Sequence, residues 1–423
     1  MKTKISFVGL GKLGLPLATN LAKKGFKVLG IDVNDDTISK LNNGKAPWIE
    51  RDLQSNIDKA KNNITYTTNY TNAYDSDTSI ILVNTPTNKK DGSFSNIYVE
   101  QSLISLCNNF IQNGKKSHHF ILSSTVMPRS IKDTFIPLIE SITGWVLNKE
   151  FGFSYVPDFV AIGKIIQDFE NPDFLLIGSS SFEYADKAEK IYSKIIKNNS
   201  QVCKLNIAEA ELSKVALNAY ITTKISFANY LGILAARVDS SINVDNVTNT
   251  IGLDKRIGTR YFKAGGPYGG TCFPRDTWAF EKISEKVGLS SSHMLANEKI
   301  NDDVVTEIYK QIVEGSPSSI GIVGLGFKPG TSVVTESMAI KLMNRLHNYS
   351  GVINIHDKLD ESYDNFYKEF DKNRFNRYNS IDGLASKCEV VIYCNDDSYE
   401  KPNMVISEID TIKIIDPWRT VKK

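Results

Sequence analysis

One stretch of this 423-residue chain sets four glycines ahead of a single cysteine. It reads Gly265-Gly266-Pro267-Tyr268-Gly269-Gly270-Thr271-Cys272-Phe273-Pro274-Arg275-Asp276-Thr277. A thiolate is a strong nucleophile and can hold a substrate covalently between two steps. Glycines, lacking Cβ, let a backbone come close to a ligand. Arg275 can favour the thiolate, and Asp276 can handle protons. The plainer alternative is a buried, inert thiol that merely fills the core.

A second constellation lies at the start of the chain. Gly9, Gly11 and Gly14 form GxGxxG between an apolar run and a helical pattern. In such a turn the first glycine permits a tight bend, the second admits a pyrophosphate, and the third lets the helix pack close to the sheet. The phosphates would sit on free N–H groups at the helix N-terminus. Asp32 ends the next strand, 21 residues after Gly11, where a carboxylate meets ribose hydroxyls. It would repel a 2′-phosphate, and Val33-Asn34 supply no arginine, so NAD is expected rather than NADP. The alternative is a structural turn without nucleotide. Lys214 and Asn218 stand four apart on one helix face; taken alone, they read as a solvated helix charge and a helix-surface polar residue.

The elements that must hold these groups are legible in outline. Strands are expected at 4–8, 27–31, 79–83, 120–124 and 153–156, with a helix at 15–24. Strands alternating with helices imply βαβ units and a parallel sheet. A long proline-free helical pattern runs from Asn206 to Val238 and reads as a spine between two lobes, or simply as a long core helix. Ser319-Ile320-Gly321-Ile322-Val323-Gly324-Leu325-Gly326 then echoes the first strand and turn. Further strands are expected at 352–356, 390–394 and 412–415, making a second, shorter Rossmann-type unit after a linker at Glu314-Gly315-Ser316-Pro317. Pro329 replaces the third motif glycine there, so a second dinucleotide is not expected. Lys328 beside that turn can still meet another phosphate ligand.

Composition narrows the classes. Fifty basic and 48 acidic residues leave a net charge of +2, with no global field for nucleic acid or an anionic membrane. No apolar run approaches the roughly 20 residues that span a bilayer. The N-terminus passes directly into a strand, so no signal peptide is read. The five cysteines, Cys107, Cys203, Cys272, Cys388 and Cys394, are odd in number and lack CxxC spacing. Neither a disulfide framework nor a structural zinc site is expected, and no metal at all. A reduced, cytoplasmic protein follows as the expectation.

The order of motifs resembles the UDP-glucose/GDP-mannose dehydrogenase family across nearly the whole chain. The matching pieces are the N-terminal fingerprint, Asn84-Thr85-Pro86-Thr87, Ser123-Ser124-Thr125-Val126 and Glu209 to Tyr220. They continue with Gly252 to Gly258, the cysteine segment, and Gly324 to Thr331. The resemblance implies an α/β fold: an N-terminal Rossmann NAD-binding domain (1–205), a central helical, dimer-forming domain with the cysteine (206–314), and a C-terminal Rossmann-like sugar-nucleotide domain (315–423). It implies a two-step oxidation of the C6 alcohol of a UDP-sugar, UDP-glucose favoured, for polysaccharide precursor synthesis. Two NAD would be consumed per product, in a homodimer made through the central helix.

The resemblance also implies roles. Cys272 would form a thiohemiacetal and then a thioester. Lys214 and Asn218 would hold the oxyanion, Asp276 would move protons, and Thr125 would position water and nicotinamide. Gly9, Gly11, Lys12, Leu13, Gly14, Asp32, Pro86, Thr87, Thr125 and Arg275 would bind the cofactor. Asp158, Phe159, Lys214, Asn218, Arg256 (across the dimer), Tyr261, Tyr268, Gly269 and Lys328 would bind substrate. Two positions depart from the family. Relatives usually carry Pro-Glu-Phe-Leu-Arg-Glu where this chain has Pro157-Asp158-Phe159-Val160-Ala161-Ile162. The base that activates the hydrolytic water then falls to Asp276, to a water on Thr125 or to another group. Thr335 stands where relatives often have an arginine. UDP-N-acetylhexosamine and GDP-mannose remain alternative substrates. A single-step β-hydroxyacid dehydrogenase, which would not need Cys272, and an NAD-binding regulator without turnover are the alternative classes.

Overall fold

The computed structural model describes residues 3–88, 92–161, 163–396 and 411–421, so Ile162 lies outside the described residues. The chain divides into two compact units, Met1–Val215 and Ala216–Lys423. The division falls inside the spine helix, Ile207–Val238.

The first unit is built on a sheet of eight strands: β1 (Lys4–Val8), β2 (Lys27–Ile31), β3 (Ile64–Thr67), β4 (Thr78–Ile81), β5 (His118–Leu122), β6 (Phe151–Tyr155), β7 (Phe174–Ser179) and β8 (Gln201–Asn206). Their order is β3-β2-β1-β4-β5-β6-β7-β8. The first six have the dinucleotide-fold order, whose crevice opens beyond the carboxyl ends of β1 and β4. β7 runs antiparallel to β6, which the expected all-parallel pattern did not include. Alternation along each strand feeds two cores. Ile5 and Phe7 enter one, with Leu15, Ala18 and Leu21 of the fingerprint helix Gly14–Lys23. Val8, Phe120 and Leu122 enter the other. Both faces are covered, as a parallel sheet requires.

The second unit carries a five-stranded parallel sheet of β9 (Ser319–Val323), β10 (Val352–His356), β11 (Phe375–Arg377), β12 (Val390–Tyr393) and β13 (Lys413–Ile415), ordered β11-β10-β9-β12-β13. The echo between the two first turns extends to their hydrogen bonds. Gly9 N donates to Ile31 O at 2.8 Å, and Gly324 N to His356 O at 2.8 Å. Leu10 N donates to Asp32 Oδ2 at 2.7 Å, and Leu325 N to Asp357 Oδ2 at 2.7 Å. The first turn runs straight into its helix. The second does not: after Pro329 the chain wanders until the helix Met338–Arg345, which Ser337 caps by accepting from Ile340 N. Two more helices of this unit are Phe273–Lys286, here called the cysteine helix, and Ser292–Val313.

The spine helix is polar on its buried side. Glu211, Lys214, Asn218, Thr222, Ser226 and Asn229 are all buried. Their spacing of three or four places them on one helix face. Tyr220, Phe227, Tyr230, Leu234 and Val238 lie on the opposite face and are exposed. An ordinary surface helix does the reverse. Among the described residues no helix is long and apolar enough to cross a membrane.

Candidate active site

In the N-terminal unit the three fingerprint glycines are used in three different ways. Gly9 has φ +96°, and a Cβ there would lie 2.3 Å from Leu82 O. A Cβ on Gly14 would lie 2.0 Å from Gly9 O, so the helix can pack this close only without one. A Cβ on Gly11 would meet nothing within 4 Å, leaving its side open to an approaching group. Gly11 and Lys12 are exposed and Leu13 is half-buried at the start of the helix. Asp32 turns both oxygens to this turn's surroundings, Oδ2 to Leu10 N and Oδ1 to Asn34 N at 2.9 Å. Each carboxylate oxygen retains capacity for a ribose hydroxyl. An open cradle beside Gly11 and an acid fixed at the end of β2 fit a dinucleotide.

The loops after β4, β5 and β6 are tied together at the same edge of the sheet. Ser124 Oγ accepts from Val83 N at 2.9 Å and donates to Val83 O at 2.7 Å. Thr85 Oγ1 donates to Thr125 O at 2.7 Å. Pro86 O accepts from Ser95 N, and Thr87 pairs with Phe94 in an isolated bridge. After β6, Asp158 O accepts from Lys214 Nζ at 2.5 Å, and the ammonium stands 4.4 Å from the centre of the Phe159 ring. This cation–π contact is worth about 2 kcal/mol once desolvated. Asp158 lines a cavity of about 40 Å³ together with Val156, Phe169, Leu175 and Tyr192. Its Oδ2 is sealed from solvent without a hydrogen-bond partner. Burial raises its pKa to about 7, against an opposing pull from Lys214.

In the C-terminal unit the exposed Cys272 stands at the N-terminus of the cysteine helix, immediately before Phe273. One turn on, Asp276 is fully buried. Asn218 Nδ2 donates to its Oδ2 at 2.6 Å, and Arg275 Nε and Nη2 reach its Oδ1, each at 3.2 Å. Arg275, expected at the cofactor, turns two donors of its guanidinium to its own neighbour. Charge-assisted bonds of this kind are worth about 1.5–3 kcal/mol each.

Each of the four glycines before Cys272 lies where an added Cβ would crowd another part of the protein. Cβ atoms on Gly265 and Gly266 would each lie 2.4 Å from the Trp418 indole. One on Gly269 would lie 2.1 Å from Glu336 O, and one on Gly270 (φ +81°) 2.7 Å from the Phe327 ring. Thr335, in place of the usual arginine, offers its main-chain oxygen to Gly270 N at 3.0 Å. Two buried asparagines pin the same loop. Asn229 accepts from Gly265 N and donates to Gly266 O. Asn301 accepts from Tyr268 N and donates to Tyr268 O. The Tyr268 side chain is buried, and its hydroxyl donates to Glu298, so it faces inward in this structure. Tyr261 is exposed, at φ +58°, with its ring edge-on to Phe273 at 6.0 Å. Lys328 lies 5.6 Å from the ring of Phe327, the ring that touches Gly270. Arg256 points into solvent, paired with Asp254 at 2.6 Å. Asn229, Asn301, Glu298 and Trp418 did not emerge from the sequence. The available signal was asparagine inside long helices, where it is a poor helix former.

A Rossmann-fold dehydrogenase that uses NAD is the class these two units define, and comparison with known proteins makes it narrower. Residues 3–196 match the NAD-binding domain of the UDP-glucose/GDP-mannose dehydrogenase family, and residues 208–303 match its central domain. A UDP-glucose 6-dehydrogenase of Haloferax volcanii is 30% identical over 351 residues, covering 81% of this chain and 80% of that protein. A GDP-mannose 6-dehydrogenase of Pseudomonas aeruginosa is 28% identical, covering 84% of this chain and 81% of that protein. The solved structure of a UDP-glucose dehydrogenase from Pyrobaculum islandicum superposes with a TM-score of 0.87 at 26% identity, covering 99% of this chain and 98% of that one. The chain belongs to the UDP-glucose/GDP-mannose dehydrogenase family and is an NAD-dependent nucleotide-sugar 6-dehydrogenase.

Two outcomes follow from this geometry. Gly14→Ala will weaken NAD binding at least tenfold and cost roughly 1–3 kcal/mol of stability through overpacking against Gly9 O. A fluorescence titration with NAD and a thermal melt read both. Asp158 is held more protonated in the folded chain than in the unfolded one. Its contribution to stability is thus full below about pH 3.8 and is lost as pH rises through about 7. Urea titrations of Asp158→Asn against the parent should diverge across that window by at most about 1.4 kcal/mol per pH unit.

Proposed function

We propose that the chain oxidises the C6 alcohol of a UDP-sugar, with UDP-glucose as the first choice, to the carboxylate in two steps through a covalent bond to Cys272. The observation that carries this reading is the Asn218–Asp276–Arg275 cluster, buried one helical turn from an exposed cysteine at a helix N-terminus. UDP-glucose is favoured by the names of the relatives from Haloferax volcanii and Bacillus subtilis, each 30% identical. The GDP-mannose 6-dehydrogenases, at 27–28%, make GDP-mannose the second reading.

The Gly9–Gly14 turn would hold NAD, with Asp32 on its ribose, and the bound cofactor would supply the hydride acceptor that each oxidation needs. The first step leaves an aldehyde. Cys272 Sγ adds to its carbon, and the resulting thiohemiacetal can be oxidised again, to a thioester. Water then breaks the C–S bond and restores the thiol. Asn218 commits one Nδ2 hydrogen to Asp276 and has a second for the oxyanion. Lys214 assists from the preceding turn, and both act where negative charge develops. Asp276 carries protons from the thiol and the water, with Thr125 positioning that water. Residues 315–423, with Lys328 in their first turn, are assigned to the nucleotide-sugar half of the substrate. Tyr261 and Phe159 are assigned to its sugar end.

A homodimer is part of the proposal. Its support is the exposed apolar face of the spine helix, with Tyr220 63% and Val238 67% exposed at its ends. Contiguous exposed apolar residues on one helix face are a feature of surfaces that meet a partner.

With a panel of nucleotide sugars, the preferred one should yield two NADH per sugar consumed. One NADH per sugar would instead indicate a single-step dehydrogenase. Cys272→Ser should abolish acid formation, and an unchanged rate in that variant would sink the covalent route. In sedimentation, the parent should run as a dimer and the double variant Tyr230→Glu, Leu234→Glu as a monomer.

A further inference from the structure

The spine helix buries one ionisable group for which the oxidation just described has no use. Glu211 is fully buried. Its carboxylate receives two main-chain N–H groups, Arg129 N on Oε2 at 2.7 Å and Ile131 N on Oε1 at 3.0 Å. Burial raises its pKa to about 7 although both N–H groups oppose the shift. These donors stand at the start of the helical run that begins as a π-helical turn, Ile131–Phe135, and continues as Ile136–Thr143. A helix start leaves N–H groups without partners inside the helix. Ser130, the residue placed to cap this one, makes no side-chain cap bond. A carboxylate 80 residues later in the chain does the capping instead.

The capped end is also the rear of the loop that carries Thr125. Arg129 has φ +77°, a left-handed conformation uncommon for a residue with a side chain. Such backbone persists only where its surroundings hold it. At the front, the same loop is tied to the β4 loop through Ser124 and Thr125. One turn beyond Glu211, Lys214 grips the β6 loop at Asp158. A single stretch of the spine helix therefore sets the loops after β5 and β6 side by side.

We propose that Glu211 is a positioning residue for Thr125: its carboxylate caps the helix after β5 and so holds the 123–130 loop in one conformation. The inference rests on the reading of Thr125 as a group that meets the reactants. A buried carboxylate is a costly cap compared with a serine in place, and what it adds is a fixed distance between this loop and Lys214.

Glu211→Gln keeps the shape but sets an amide NH2 against one of the two N–H donors. It should lower kcat roughly tenfold. The rate of Cys272 alkylation should change little, the KM for NAD should rise less than kcat falls, and the melting temperature should drop by only a few degrees. In a Thr125→Ala background the same substitution should have no further effect on kcat, since groups acting as one unit are non-additive. Additive losses, or a melting temperature that falls while kcat holds, would overturn the proposal. Hydrogen exchange reads the anchor without turnover: the amides of 126–131 should exchange faster in Glu211→Gln, and unchanged protection there would also overturn it. If Thr125→Ala alone leaves kcat untouched, the assignment of Thr125 fails, and exchange still decides whether Glu211 holds the loop.

Discussion

The need to satisfy the buried polar groups of one helix is the constraint on which the loops packed against it within each unit depend. Between Glu211 and Asn229 the spine helix turns inward a carboxylate, an ammonium, two amides and two hydroxyls. Each buried polar group must find a partner or cost about 1–3 kcal/mol. The partners are therefore specified closely. Glu211 and Lys214 take main-chain groups of the β5 and β6 loops. Asn218 takes Asp276, Thr222 takes Thr277, and Asn229 takes the backbone of Gly265 and Gly266. None of these bonds tolerates a shift of the helix by one residue within its own unit.

The glycine-rich loop before Cys272 shows the same economy. Its glycines admit an indole, a phenyl ring and a main-chain oxygen, while asparagine amides supply the hydrogen bonds that a neighbouring strand would give. A cysteine on such a loop is held still from several sides. That suits the proposed role of Cys272 as a nucleophile, because small misplacements of reacting atoms are expensive in rate.

Much of the fold could be read from the chain alone. The strands at 4–8, 27–31 and 352–356 and the helix ending at Val238 fall where apolar periodicity and glycine placed them. These are local signals, set by the alternation of side chains on a strand and by the period of a helix. The antiparallel β7 and its partner β8 were not legible, because nothing local distinguishes the direction in which a strand will pair. Glu211 was visible only as one letter in a motif. Its role depends on the N–H groups of Arg129 and Ile131, some 80 residues earlier.

The sequence by itself determined the chemistry available: a fingerprint turn followed by Asp32, a thiol at Cys272 with Arg275 and Asp276 beside it, and Lys214 four residues before Asn218. Those assignments depend on residue type and short spacing, which folding does not alter. Only the tertiary structure decided what each group faces. It turned Tyr268 inward to Glu298, joined Arg275 to Asp276, left Arg256 in solvent and gave the four glycines to Trp418, Glu336 and Phe327. Packing partners come from distant parts of the chain, and their choice is made by the requirement that buried polar groups be satisfied and close contacts be free of Cβ atoms. Cys272 stayed where its motif put it; the groups that hold it in place were the ones that only folding could name.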